Sequence, residues 1–266
     1  MIKTRFLSVF LSVILLSSML VSCDSDNNGG LVNNSIIASD GTVIDVDSVP
    51  VAPAEDFEYT ISDSKVFITG YKGEATEVSI PSEIEGMQVA SVLSSAFFAD
   101  EDLYAVIIPE GVTSVKDDAF YGCTSLEFVQ LPTSLVSLGE SVFANCTSLE
   151  SLVLPNRITE IPNRCFYGCS VLNSVTMGSS VTKIGDYAFA SCNAIYGMTL
   201  SSSVESIGEF AFYSCADLNV MEFTGNTVFE KTTFLQSESL TLYVESGTVP
   251  HALAQEYSLT YMVKEK

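Results

Sequence analysis

Phe120-Tyr121-Gly122-Cys123-Thr124-Ser125-Leu126-Glu127-Phe128-Val129-Gln130-Leu131-Pro132 returns 23 residues later as Phe143-Ala144-Asn145-Cys146-Thr147-Ser148-Leu149-Glu150-Ser151-Leu152-Val153-Leu154-Pro155. The same register extends both ways. Phenylalanine stands at 97, 120, 143, 166, 189 and 212, and cysteine at 123, 146, 169, 192 and 215. Aliphatic columns keep the phase: Leu126, Leu149, Leu172, Ile195 and Leu218; Val112, Leu135, Ile158, Val181 and Val204; Val115, Leu138, Ile161, Ile184 and Ile207. Self-similarity at a fixed short period marks a solenoid, in which each unit buries its apolar side only against its neighbours.

Within one unit, Leu126-x-x-Val129-x-Leu131 alternates with period two around Val129, which predicts one short strand per unit, ended by Pro132. The segment beginning Gly185-Asp186-Tyr187-Ala188-Phe189 reads as one to two helical turns, with an acid at the dipole's positive end. Asp117 and Asp118 fall at the same point and read as solvated dipole partners. The expected unit is strand, turn, short helix and return, an α/β repeat. Residues flanking the Val129-type position point away from the core. They present Ala105 and Ile107, Phe128 and Gln130, Ser151 and Val153, Ser174 and Thr176, Gly197 and Thr199, Val220 and Glu222.

The wording, close to I-P-x-x-V-x-x-I-G-x-x-A-F-x-G-C-x-S-L, resembles the BspA-like leucine-rich repeats of bacterial surface proteins over roughly residues 56–266; Ile108 to Leu126, Val181 to Cys192 and Val204 to Cys215 match best. The resemblance implies a right-handed, curved leucine-rich-repeat solenoid with a parallel sheet on its concave face and short helical segments on the convex side. It also implies attachment to the cell surface, adhesion or ligand capture, and no catalytic residues.

Outside the repeats, Lys3 and Arg5 precede an apolar run from Phe6 to Met19, too short for a permanent span of about 20 residues. It ends in Leu20-Val21-Ser22-Cys23, which resembles a lipobox and predicts cleavage before Cys23 and a lipid on its sulfur. The expected organisation is a signal peptide over 1–22, a polar tether over 23–55, a hairpin cap over 56–75, repeats over 76–243 and a C-terminal cap over 244–266. Residues 1–22 carry two bases and no acid, so cleavage takes the net charge from −22 to −24. Such a body is repelled by phosphate backbones and anionic headgroups; this excludes a nucleic-acid partner and leaves the lipid on Cys23 as the membrane contact.

Seven cysteines in an exported chain first suggest disulfides. Each ladder cysteine has two equivalent neighbours, so reduced structural thiols are the leading expectation, with one or two bridges or a metal site as alternatives. Cys165 takes a slot held elsewhere by Ala119, Ala188 and Ala211. His251 stands alone in the C-terminal cap without a hydrolase or zinc motif. No catalytic residue, cofactor or metal is expected.

The expected function is capture of a protein ligand by a monomer through Ile107, Phe128, Gln130, Val153, Thr176, Thr199 and Glu222. The alternatives are an envelope scaffold and, less favoured because tryptophan is lacking, a glycan-binding module. Ile107, Phe128 and Val153 put three apolar groups on consecutive strands, so Phe128→Ser is expected to weaken binding without altering stability. The competing possibility is that the tether or hairpin folds over them.

Overall fold

The structure, a computed structural model, describes residues 35–37, 43–45 and 48–264. The predicted leader, Cys23 and the polar run after it lie outside the described residues. Ser35–Ile37 and Val43–Asp45 pair antiparallel.

Each coil contributes two short parallel strands. The first ladder holds Glu77–Ser79, Ala105–Ile107, Phe128–Gln130, Ser151–Val153, Ser174–Thr176, Gly197–Leu200, Val220–Phe223, Thr241–Val244 and Tyr261–Val263. Its register repeats the sequence period, with Val106 opposite Val129, Leu152 opposite Val175 and Met198 opposite Met221. The pairing is interrupted after Phe128–Gln130 and again after Ser174–Thr176.

The second ladder holds Met87–Val92, Ser114–Val115, Ser137–Leu138, Glu160–Ile161, Lys183–Ile184, Ser206–Ile207 and Val228–Phe229, with the pairing interrupted after Ser137–Leu138. In the sequence its apolar column shows only as core. Two residues are too few to show an alternation, so the strands announce themselves only once the coils stack.

The third side corrects the helical expectation: it is a run of turns. Ala96, Phe98 and Asp100 donate their N–H groups to carbonyls three residues back, on Leu93, Ser95 and Phe97. The intervening N–H groups of Ser95, Phe97 and Ala99 donate to Asp117, Ala119 and Tyr121 of the next coil at 3.0, 2.8 and 2.7 Å. A helix keeps all such donors for itself. The interruption comes from two left-handed residues per coil, such as Ser95 and Ala99 (φ 61° and 54°), repeated at Ser141 and Asn145 and at Tyr187 and Ser191.

The acids at the start of these runs therefore do not face a helix dipole. Asp117 Oδ1 accepts the N–H of Glu140, and Asp186 Oδ1 accepts that of Glu209, both at 2.9 Å. Glycine permits the close approach: a Cβ on Gly208 would stand 2.6 Å from the Asp186 nitrogen.

Inside, the phenylalanine column is a continuous stack. From Tyr71 through Phe97, Phe120, Phe143, Phe166, Phe189 and Phe212 to Phe234, neighbouring ring centroids lie 4.9–5.8 Å apart with nearly parallel planes. Against it pack the aliphatic columns and the cysteines, in one buried cluster.

At the front, Phe57–Ser62 and Lys65–Tyr71 form an antiparallel hairpin whose turn residues Asp63 and Ser64 both have positive φ, as a two-residue hairpin turn requires. Its second strand pairs in parallel with Met87–Val92 and closes the second ladder. Ile80 and Ile108 stand 28 residues apart, five more than the period, and the longer first coil builds a small hairpin, Glu83–Ile84 against Met87–Val92. At the back, helix Val249–Glu256 starts with proline in its first turn, and Tyr261–Val263 adds the last parallel strand.

Candidate ligand-binding face

The outward slots of the first ladder are the predicted site, and the structure divides them in two. At the front, Ala105 and Phe128 are buried, Phe128 at only 4% exposure, under Val49, itself 6% exposed. Tyr104 closes the cluster edge-on to Phe128, centroids 5.2 Å apart, and Ile107 is half-buried against it. This corrects the expectation of Phe128 as a solvent-facing hot spot. The chain just before the front hairpin covers it, because an apolar slot on an open sheet gains stability from any apolar residue within reach.

Further along, the face is open. Val153 is 48% exposed, Ser151, Thr176, Gly197 and Thr199 are exposed, and Tyr196, one residue before its strand, is 53% exposed. Register places Val153 beside Thr176 and Thr199 beside Glu222, while the interruptions separate Gln130 from Val153 and Thr176 from Thr199. Gln130 is half-buried, and its Oε1 has no hydrogen-bond partner.

Glu222 is already engaged. Its carboxylate accepts from Lys264 Nζ at 2.8 Å and from Thr199 Oγ1 at 3.0 Å, and Lys264 also donates to the Phe223 carbonyl at 2.9 Å. Burial pushes the Glu222 pKa up, but the lysine and threonine outweigh it and hold the carboxyl below the usual range. Sequence reasoning missed Val49, Tyr104 and Lys264. Val49 lies in a stretch read as polar tether, and the other two stand outside the strand pattern that singled out the face.

The described thiols offer no coordination site. Each ladder cysteine donates its S–H to a phenylalanine carbonyl one coil back, as Cys169 does to Phe143 at 3.0 Å and Cys192 to Phe166 at 3.1 Å. All six described cysteines are buried and unpaired. Burial pushes the thiols of Cys123, Cys169 and Cys215 up to about 12, and those of Cys146, Cys165 and Cys192 well above their ordinary value. Among the described residues no group of three or more histidine, cysteine or acidic side chains is placed to hold a metal ion, and no helix is long and apolar enough to cross a membrane. His251 accepts from the Gly247 N–H through Nδ1 at 3.2 Å, shares a hydrogen bond with Gln255 and packs on Tyr261.

Short parallel rungs around a stacked aromatic spine, with an open strand face, define a leucine-rich-repeat solenoid. The BspA type leucine-rich repeat region matches in six copies, over residues 90–219 and 137–249, and the chain belongs to that family. Among solved structures it is similar to a leucine-rich repeat protein of T. pallidum, at 23% identity and a TM-score of 0.54, over 82% of this chain and all of that one. It is also similar to a leucine-rich cell surface protein of Faecalibacterium prausnitzii, at 16% identity and a TM-score of 0.44, over 82% of this chain and 96% of that one. No curated protein matches.

Proposed function

We propose that this is a non-catalytic binding protein displayed on a bacterial surface, held by a lipid on Cys23, which takes a protein ligand on the open stretch of the first ladder from Ser151 to Glu222. The single observation that carries this is the exposure of Val153 on a strand face that also exposes Thr176 and Thr199, with exposed Tyr196 one residue before its strand. Exposed apolar and aromatic groups on an ordered face mark contact surfaces. Membership of a repeat family found on bacterial surface proteins supports an interaction or adhesion role, and the tying of the only histidine into the C-terminal cap supports a role without catalysis.

Photo-crosslinking groups placed at Thr176 and Thr199 should capture a partner on intact cells that the same group at Asp186, on the turn side, does not. Val153→Asp should weaken that capture at least tenfold. Equal capture from Asp186 would move the site off this face. Cys23→Ala tests the anchor: the chain should stop incorporating labelled fatty acid, and normal labelling would remove the lipid from the account.

A further inference from the structure

Val49 and Ala52 are buried, three residues apart, Val49 in the small outer cluster and Ala52 in the main core, while Pro50, Val51 and Pro53 between and after them face outward. A burial period of three is that of polyproline II, and Pro53 has the matching dihedrals, φ −67° and ψ 149°. Val51 bridges Ser79 in parallel, and the Ala52 N–H donates to the Ser79 carbonyl at 2.9 Å. Two residues before that fixed point, Val49 packs with Ala105 and Phe128 on the next two strands.

What it meets there is unlike the rest of the ladder. The slot that holds Ala105 and Phe128 continues as Ser151, Ser174 and Gly197, so the apolar patch ends within reach of the strap. Tyr104 and Phe128 meet edge to face and make an aromatic wall. The resulting cluster is separate from the main core. Gln130, two residues on from Phe128 along the same face, is half-buried, and its buried Oε1 has no donor.

We infer that Tyr104, Ala105, Ile107 and Phe128 form a binding site for an extended, proline-containing apolar segment, and that Ser48–Pro53 occupies it in cis. Aromatic-lined grooves take such segments because their extended form loses little entropy on docking. The inference rests on the reading of this ladder as the ligand face and extends it forward: a partner with an extended Val-Pro stretch competes with Val49 and continues onto Val153. A strap in cis acts at an effective concentration in the millimolar range, so a partner must bring further contacts, which the open stretch beyond Gln130 supplies.

The test uses the full chain carrying Cys23→Ser and Ala105→Cys, with alkylation of the introduced thiol as the readout; the six core thiols stay silent because they are buried. Alkylation should be slow with the native strap and at least tenfold faster after Val49→Ser. Millimolar synthetic peptide of residues 47–54 should restore the slow rate in the Val49→Ser chain, and a scrambled peptide should not. An unchanged rate in that chain would show that Val49 does not cover the site. A fast rate that the peptide leaves untouched would show that the strap is a chain-end cap and no segment-binding site exists. Should Ala105→Cys lower the melting temperature, Ile107→Cys serves as the reporter. No partner protein enters the assay, so its outcome stands apart from capture at Thr176 and Thr199.

Discussion

Along the buried column Cys123, Cys146, Cys169, Cys192, Cys215 and Ser237, every side chain donates to a phenylalanine carbonyl one coil back, at 3.0–3.1 Å from sulfur and 2.8 Å from oxygen. The column selects a small donor, and serine takes over where the repeat shortens by one. The native Cys23→Ser chain should therefore give less than one equivalent with a thiol reagent at about pH 8, near the ordinary thiol pKa, and six after denaturation. Two or more reactive thiols in the native chain would contradict a closed column. Glu110 offers a second test at this scale. Burial raises its pKa, but donors from the backbone and hydroxyls of Thr133 and Ser134 outweigh it and hold the carboxyl below its ordinary 4.5. A depressed carboxyl contributes stability above its unfolded pKa and loses it as pH falls through the folded value. Glu110→Gln should thus lower the melting temperature at neutral pH, with the difference closing as pH drops below the lowered Glu110 pKa. A difference that persists in strong acid would assign the effect to packing.

Between elements, the aromatic stack joins one coil to the next. Phe166 sits 5.8 Å from Phe143 and 5.2 Å from Phe189, fully buried. Phe166→Ala should lower stability by about 3–5 kcal/mol, measured by chemical denaturation, with the loss spreading to both neighbouring coils. A midpoint within error of the parent would refute the interior placement. This column was plain in the sequence because one residue type recurs at one spacing. The turn side was not, and the reason is local. Left-handed positions usually show themselves as glycine, but here they hold Ser95, Asp118, Arg164, Tyr187 and Phe210. Glycine marks only the second left-handed position, and only at Gly122 and Gly168, while an acid followed by apolar residues three apart imitates a helical start. The N–H groups given to the next coil are a property of stacking that no single unit displays.

For the molecule as a whole, the two halves of the first ladder were legible to different degrees. Val153, Thr176 and Thr199 stand exposed where strand alternation puts them. Phe128 obeys the same alternation yet is covered, since the covering Val49 comes from 79 residues earlier in a stretch whose composition promised no contact. Alternation decides which way a side chain points and says nothing about what lies above it. Phe128→Ser should accordingly lower stability by about 3 kcal/mol, toward the low end for a buried aromatic because its cluster lies at the surface. An unchanged melting temperature would mean that Val49 does not pack there.

The spine also gives the molecule an optical character. With no tryptophan in the chain, excitation absorbed by phenylalanine can pass only to tyrosine, whose absorption lies at lower energy. The stack begins at Tyr71 and, through Phe234 and Phe229, approaches Tyr257 at its other end. Tyrosines also stand along its length, Tyr121, Tyr167 and Tyr213 directly after Phe120, Phe166 and Phe212, so every ring of the stack has an acceptor close by and tyrosine emission excited through phenylalanine reports the folded spine as a whole.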